Sequence, residues 1–358
     1  MEGLRGFSAL LVFFVHFNDR FGALAADSGL RAALEFAGTF GHCGVDVFFA
    51  LSGFIMYGML LRKPEVRYLD FLRRRIARLY PAFIAVFAIY VALNSAFHVK
   101  QWPDSAAARL VYLLANFLML PGILPIEPLI VVAWSLSYEL CFYLVLPLVL
   151  RLTRMAAWRA RVRIAFLLAL CAADFLLVGL GLIGHPRMVM FAGGMLLWET
   201  VRFRGIWERP AWNRIGHCAA AALFAAALGA YGAVRPSVWS RFCDSAGLAC
   251  PAHVFLLFAA TYALCYFAMG GGGMLASCFQ WSPLRWFGNM SYSYYLIHGL
   301  VLHALRKAMD FAGAPPSLSF LPFLALLAVT FAATVGAGAG LFLAVERPFS
   351  FGGGSRRD

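Results

Sequence analysis

The chain has 358 residues, 62% of them hydrophobic and 13% charged, with a mean hydropathy of +0.77. A soluble globular fold has no use for that much apolar surface, so composition excludes a set of soluble domains and indicates one polytopic membrane bundle. The net charge of +13 has the sign of a nucleic-acid binder, but the arginines cluster in short segments between apolar runs, which is the pattern of membrane topology.

Ten membrane-spanning helices are predicted, making an all-α bundle. The first covers about 3–22 and carries Arg5 and His16. Eleven residues is about three helical turns, so the two side chains share a face, with His16 roughly 16 Å further along the axis. A short linker leads to a second span at about 40–61, which carries Asp46 and Ser52. An ionisable group in hydrocarbon costs at least a few kcal/mol, which marks His16 and Asp46 as candidate functional residues. The alternative for the first run is a secretory signal ending at Ala23-Leu24-Ala25; His16, Asn18 and Asp19 suit such a segment poorly.

The stretch YLDFLRRRIARLYP precedes a third span at about 79–97. On a helix its Arg74, Arg75 and Arg78 fan over one face. Such a face suits phosphate through forked hydrogen bonds, and it equally suits anionic lipid at a membrane surface. The run 110–121 is too short to cross and is expected to be interfacial or re-entrant.

The fourth span, about 129–150, sets Ser135, Glu139 and Tyr143 on one face at intervals of four. Spans five to eight cover about 164–183, 187–201, 215–233 and 251–269. Asp174 lies mid-span in the fifth, with no evident partner. Cys243 and Cys250 share the loop between spans seven and eight, where a disulfide is expected if that loop is extracytoplasmic. The ninth span, about 286–305, places Ser291, Tyr294, Tyr295 and His298 on one face. The tenth covers about 318–343. Residues 1–350 are thus expected to form one membrane-embedded domain, and 351–358 a short cytoplasmic tail.

Orientation follows from the basic residues. With the N-terminus inside, the internal segments hold Arg62, Lys63, Arg67, Arg73, Arg74, Arg75 and Arg78; then Arg151, Arg154, Arg159, Arg161 and Arg163; then Arg202, Arg204, Arg209 and Arg214. The external segments hold no comparable cluster, so both termini are expected in the cytoplasm. His16 then lies roughly 20 Å from the inner face, and Asp46 roughly 9 Å below the outer face of a ~30 Å core. These depths agree, and Glu139 and His298 fall in the same middle third. One buried polar chamber is the expectation. For Ser291, Tyr294 and Tyr295, hydrogen-bonded packing between helices is the simpler reading.

Six segments in this order carry a family resemblance: LRGFSALLVFFVH, GVDVFFALSGF, FLRRRIARLYP, WSLSYELCFYLVLP, GNMSYSYYLIH and VERPF. The chain resembles the acyltransferase-3 family, membrane enzymes that O-acylate bacterial polysaccharides, lipid-linked sugars and antibiotics. The resemblance implies acyl-CoA, with acetyl-CoA foremost, as a cytoplasmic co-substrate. It implies no bound cofactor or metal, and an acceptor hydroxyl on a glycan, lipid-linked sugar or related molecule. It also implies the bacterial inner membrane. The soluble esterase-like domain fused to some members of that family is not expected after the last predicted span. Either the enzyme stands alone, then, or a separate protein completes the transfer.

On this reading His16, Asp46 and Glu139 are the catalytic candidates. Histidine is the natural base for a hydroxyl near neutral pH, and a carboxylate can support its protonated form. Whether His16 acts as base or carries the acyl group itself is left open by the residues. Arg5, Arg74, Arg75 and Arg78 are the donor-binding candidates, with Ser52, Tyr294 and His298 in support. The competing function is a proton-coupled transporter using the same His, Asp and Glu. No inverted repeat or pair of matched broken helices favours it.

Overall fold

The structure, a computed structural model, describes residues 1–97, 100–180, 182, 186–201, 210–233, 249–270 and 272–351. Among these residues every regular element is helical, apart from two isolated bridges, Ala25 to Leu318 and Pro121 to Leu124. The α-helices begin with α1 (Glu2–Phe21), α2 (Ser28–Gly41), α3 (Cys43–Arg62), α4 (Tyr68–Phe97) and α5 (Ala106–Phe117). Next come α6 (Ala133–Leu152), α7 (Ala160–Gly179), α8 (Val189–Thr200), α9 (Pro210–Ala233) and α10 (Ala249–Ala268). Then follow α11 (Met274–Gln280), α12 (Ser282–Asn289), α13 (Ser291–Phe311), α14 (Phe320–Leu341) and α15 (Arg347–Phe351). Four helical stretches among the described residues are long and apolar enough to cross a membrane: Ser28–Arg62, Tyr68–Phe97, Ala133–Leu152 and Phe320–Phe349.

The chain divides into two compact units. The first comprises Met1–Pro64, Val149–Asn289 and Pro315–Phe323; the second comprises Glu65–Leu148, Met290–Ala314 and Leu324–Asp358.

In the first unit α3 is the central helix, with 15 of its 20 residues buried. Its neighbours lie close because glycines stand where backbones meet. A Cβ on Gly44 would collide with the Ser8 carbonyl of α1, and one on Gly53 with the Phe191 carbonyl of α8. Gly194 returns the contact against the Ala50 carbonyl. Such small-residue contacts are the usual means by which apolar helices approach without a hydrophobic driving force. Leu4, Leu11, Val47, Leu51, Phe54 and Leu197 form part of the buried core between these helices.

Two expectations about element boundaries need correction here. The linker after the first span is itself largely helical: Asp27 accepts a hydrogen bond from Leu30 N–H at 2.6 Å and so caps α2. The ninth span breaks at Met290 into α12 and α13, which belong to different units.

In the second unit α4 runs for 30 residues, about 45 Å, with the arginine-rich stretch in its first half and Pro81 inside it. Residues 63–67 separate it from α3, so the arginine stretch begins a new helix and does not continue the Asp46 helix. Helix α5 has 12 residues, about 18 Å, too short to span ~30 Å, and turns Leu110, Val111 and Leu114 outward. Its buried Asn116 accepts from Leu129 N–H at 2.6 Å and donates to the Tyr112 carbonyl at 3.0 Å, which ties down the following loop. The expected Cys243–Cys250 disulfide, Arg202, Arg204, Arg209 and the tail from residue 352 lie outside the described residues.

Candidate functional site

The first unit gathers charged groups at one end of α1 and α3. His16 lies on the last turns of α1, half-buried, with Nδ1 3.6 Å from Asp19 Oδ2 one turn further on. His42, exposed at the joint between α2 and α3, has His16, Asp19 and Arg187 within electrostatic reach. Asp46 stands in the first turn of α3, where the helix dipole favours a carboxylate, and is fully buried.

The side chain of Asp46 does not meet His16. Its ion-pair partner is Arg187, whose Nε lies 3.7 Å from Oδ1, and neither carboxylate oxygen accepts a hydrogen bond. Helical geometry explains the direction. Asp46, Phe49, Ala50 and Gly53 fall on one stripe at intervals of three and four, and that stripe faces α8. Phe49 stacks on Phe191 at 4.5 Å between centroids, and Ala50 and Gly53 make the glycine contacts above. Arg187 sits on the 3-10 turn Pro186–Met188 that leads into α8, with its guanidinium at the Asp46 end of the same stripe. Of the other residues predicted in this unit, Ser52 is buried in α3, and Arg5 is half-buried near the start of α1.

A second buried ion network lies at the other end of α3 and escaped the sequence reading. Glu199 of α8 is fully buried and takes a fork from Arg163 of α7, Nε to Oε1 at 2.6 Å and Nη2 to Oε2 at 3.1 Å. Tyr57 of α3 donates to the same Oε1 at 2.8 Å, and Arg163 Nη1 donates to the Trp158 carbonyl. Arg163 was expected to be a surface flank. It is 8% exposed.

In the second unit Tyr143 donates a hydrogen bond to Glu139 one turn before it, as their spacing of four predicts. The arginine face of α4 divides. Arg75 and Arg78 are half-buried, and Arg75 has Tyr143, Glu139 and Arg78 as electrostatic neighbours; Arg73 and Arg74 are exposed. Tyr292 of α13 donates to the Leu79 carbonyl at 2.7 Å, with Glu139, Glu346 and Arg78 as electrostatic neighbours. Glu346 is buried in a π-helical turn and accepts from both Ser293 N–H, at 3.1 Å, and Ser293 Oγ, at 2.5 Å. It therefore satisfies an amide that the start of α13 would otherwise leave unpaired.

His298 is fully buried against Tyr294, their rings stacked at 5.2 Å. Its Nδ1 lies 3.1 Å and 2.9 Å from the Tyr294 and Tyr295 carbonyls, so that nitrogen carries a proton. Tyr294 pairs with Thr334, and Tyr295 with Ser135 at 2.8 Å and the Val132 carbonyl at 3.2 Å. Among the described residues no group of three or more His, Cys, Asp or Glu side chains is placed to hold a metal.

Comparison with known proteins adds a family. A model described as an acyltransferase domain matches residues 1–339. Exopolysaccharide production protein ExoZ of Rhizobium meliloti (strain 1021) is 28% identical over 334 residues, 89% of this chain and 92% of that one. Putative peptidoglycan O-acetyltransferase YrhL of Bacillus subtilis (strain 168) is 26% identical over 328 residues, 83% of this chain and 47% of that one. Acyltransferase MdmB of Streptomyces mycarofaciens is 35% identical over 159 residues, 43% of this chain and 39% of that one. The alignments with YrhL and MdmB thus take in less than half of each relative. No solved structure matches.

Proposed function

The chain belongs to the acyltransferase-3 family, and on that premise we propose that it is an integral membrane O-acyltransferase acting on a cell-surface glycan or a lipid-linked precursor. The single observation that carries this reading is the family match across nearly the whole chain. Relatives named for peptidoglycan O-acetylation and exopolysaccharide production support the acceptor class. The donor proposed is cytoplasmic acyl-CoA, acetyl-CoA foremost, and the setting is the bacterial inner membrane with ten spans and both termini inside.

His16 removes the acceptor proton, either directly or in the second half of a transfer through its own ring nitrogen. In the direct route the acceptor oxygen bonds to the acyl carbon, the thioester C–S bond breaks, and the CoA thiolate takes up the proton. In the route through His16 the C–S bond breaks as the ring nitrogen is acylated, and the N–acyl bond breaks when the acceptor oxygen attacks, its proton passing to the released imidazole. Asp19, 3.6 Å away, stabilises the imidazolium that forms. Arg75 and Arg78 are the proposed donor-phosphate ligands in the second unit, because both are half-buried, with Arg75 among the charges of Glu139, Arg74 and Arg78. Arg74 is exposed, which better fits contact with anionic lipid. The Glu139 carboxylate, hydrogen-bonded by Tyr143, counters this positive charge. The transporter alternative finds no support in the relatives.

The test pairs two measurements. Purified protein should release free CoA thiol from acetyl-CoA when a hydroxyl acceptor is added. Mass spectrometry of surface glycans should show O-acetyl groups lost when the gene is deleted. No acceptor-dependent thiol release, together with unchanged glycans, would overturn the assignment.

A further inference from the structure

Asp46 is a fully buried carboxylate whose oxygens accept no hydrogen bond, and its one described charge partner is the Arg187 guanidinium at 3.7 Å. A buried charge is tolerated only when it is paired, and removing one partner leaves the other uncompensated. At 3.7 Å the pair is nevertheless longer than a charge-assisted hydrogen bond of about 2.7–2.9 Å. It supplies charge balance to the buried carboxylate. Arg187 is itself 8% exposed and also lies within electrostatic reach of His42, which in turn neighbours His16 and Asp19. Cys43 and His42 at the head of α3 are therefore the groups next to this pair, and His16 and Asp19 of α1 reach it through His42.

We propose that Arg187 is a positioning residue of the transfer site: paired with Asp46, it fixes the entry of α8 against α3 and sets the charge that His42 and His16 experience. Two features make this more than a helix tether. The stripe from Asp46 to Gly53 already packs α3 against α8 through backbone contacts at Gly53 and Gly194, so the ion pair is not needed to bring the helices together. The pair is also sited at the end of the stripe that adjoins His42, and not in the apolar middle. The inference rests on the reading of His16 as the reacting histidine.

The test is a double-mutant cycle on purified protein, with acyl transfer expressed per folded molecule and folding judged by size exclusion in detergent. Arg187→Ala should lower kcat on the order of 100-fold, the scale of a misplaced reacting group. Arg187→Lys, which keeps charge but not the planar fork, should recover part of that loss. In Asp46→Asn/Arg187→Ala, activity should fall no lower than in Asp46→Asn alone, because the arginine acts through the carboxylate. Independent, multiplying losses would overturn the proposal, as would Arg187→Ala within twofold of wild type. If Arg187→Ala is not recovered folded, Arg187→Lys decides: a reduced kcat with unchanged KM supports the proposal, and unchanged kcat overturns it. A fully active His16→Ala would instead remove the functional reading itself, whatever the cycle shows.

Discussion

Glu199 shows most plainly what single residues in this fold carry. Fully buried, it binds a guanidinium fork and a phenol, and the network joins α3, α7 and α8. Arg163→Met should therefore destabilise the protein by about 3–5 kcal/mol, since it leaves a carboxylate buried without its counter-charge. Arg163→Met/Glu199→Met should recover much of that loss, because apolar replacement of a whole buried pair is often neutral. Tyr57→Phe, which removes one donor, should cost about 1–2 kcal/mol. Thermal unfolding in detergent checks all three, and a double variant less stable than Arg163→Met would contradict the account. These residues also mark a limit of the sequence. His16 and Asp46 stand out because each interrupts a long apolar run. Glu199 and Arg187 obey the same rule but lie at the two ends of one short run, where they read as flanks. Arg163 reads as one of a cytoplasmic cluster, because burial of a single arginine leaves no trace in composition.

At the scale of elements, the helices were legible from apolar runs and their polar faces from spacing. The Glu139–Tyr143 contact was visible as an interval of four. Which neighbour a face meets was not. Depth along two consecutive spans suggested that Asp46 meets His16, yet depth is one coordinate and rotation about the axis is another. The stripe Asp46, Phe49, Ala50, Gly53 carried the rotational information, and it points at α8. The Asp27 cap and the break at Met290 were missed for a different reason: short polar signals were outweighed by long apolar windows. The α3–α8 contact yields a direct prediction. Gly53→Val and Gly194→Val must push the two backbones apart, so the yield of folded protein should fall sharply. Gly336→Ala, at a helix position with open space around it, should be neutral or stabilising by about 0.5–1 kcal/mol. Folded yield by fluorescence-detected size exclusion separates these outcomes, and equal yields for all three would contradict the close approach.

For the whole molecule, the all-helical class and the family were both readable, the first from hydrophobicity and the second from six ordered segments. The division into two units was not. It follows from contacts that bring residues 149–289 back onto 1–64, and nothing local encodes that return. Topology makes its own prediction. With ten spans and both ends inside, a reporter fused after residue 358 should be active only in the cytoplasm, and one inserted within 235–250 only outside it. An external C-terminus with the 235–250 position also outside would mean a miscounted span, and reversal at both positions would mean an inverted orientation. The most direct test of the central claim is acyl transfer by purified, folded His16→Ala protein, measured with acetyl-CoA and a hydroxyl acceptor and set against the amount of protein recovered. A general base contributes about 100- to 10,000-fold, so the variant should insert and purify normally yet transfer at a rate lower by at least that first figure. Transfer near the wild-type rate by well-folded His16→Ala protein would contradict the claim and leave His16 a packed histidine.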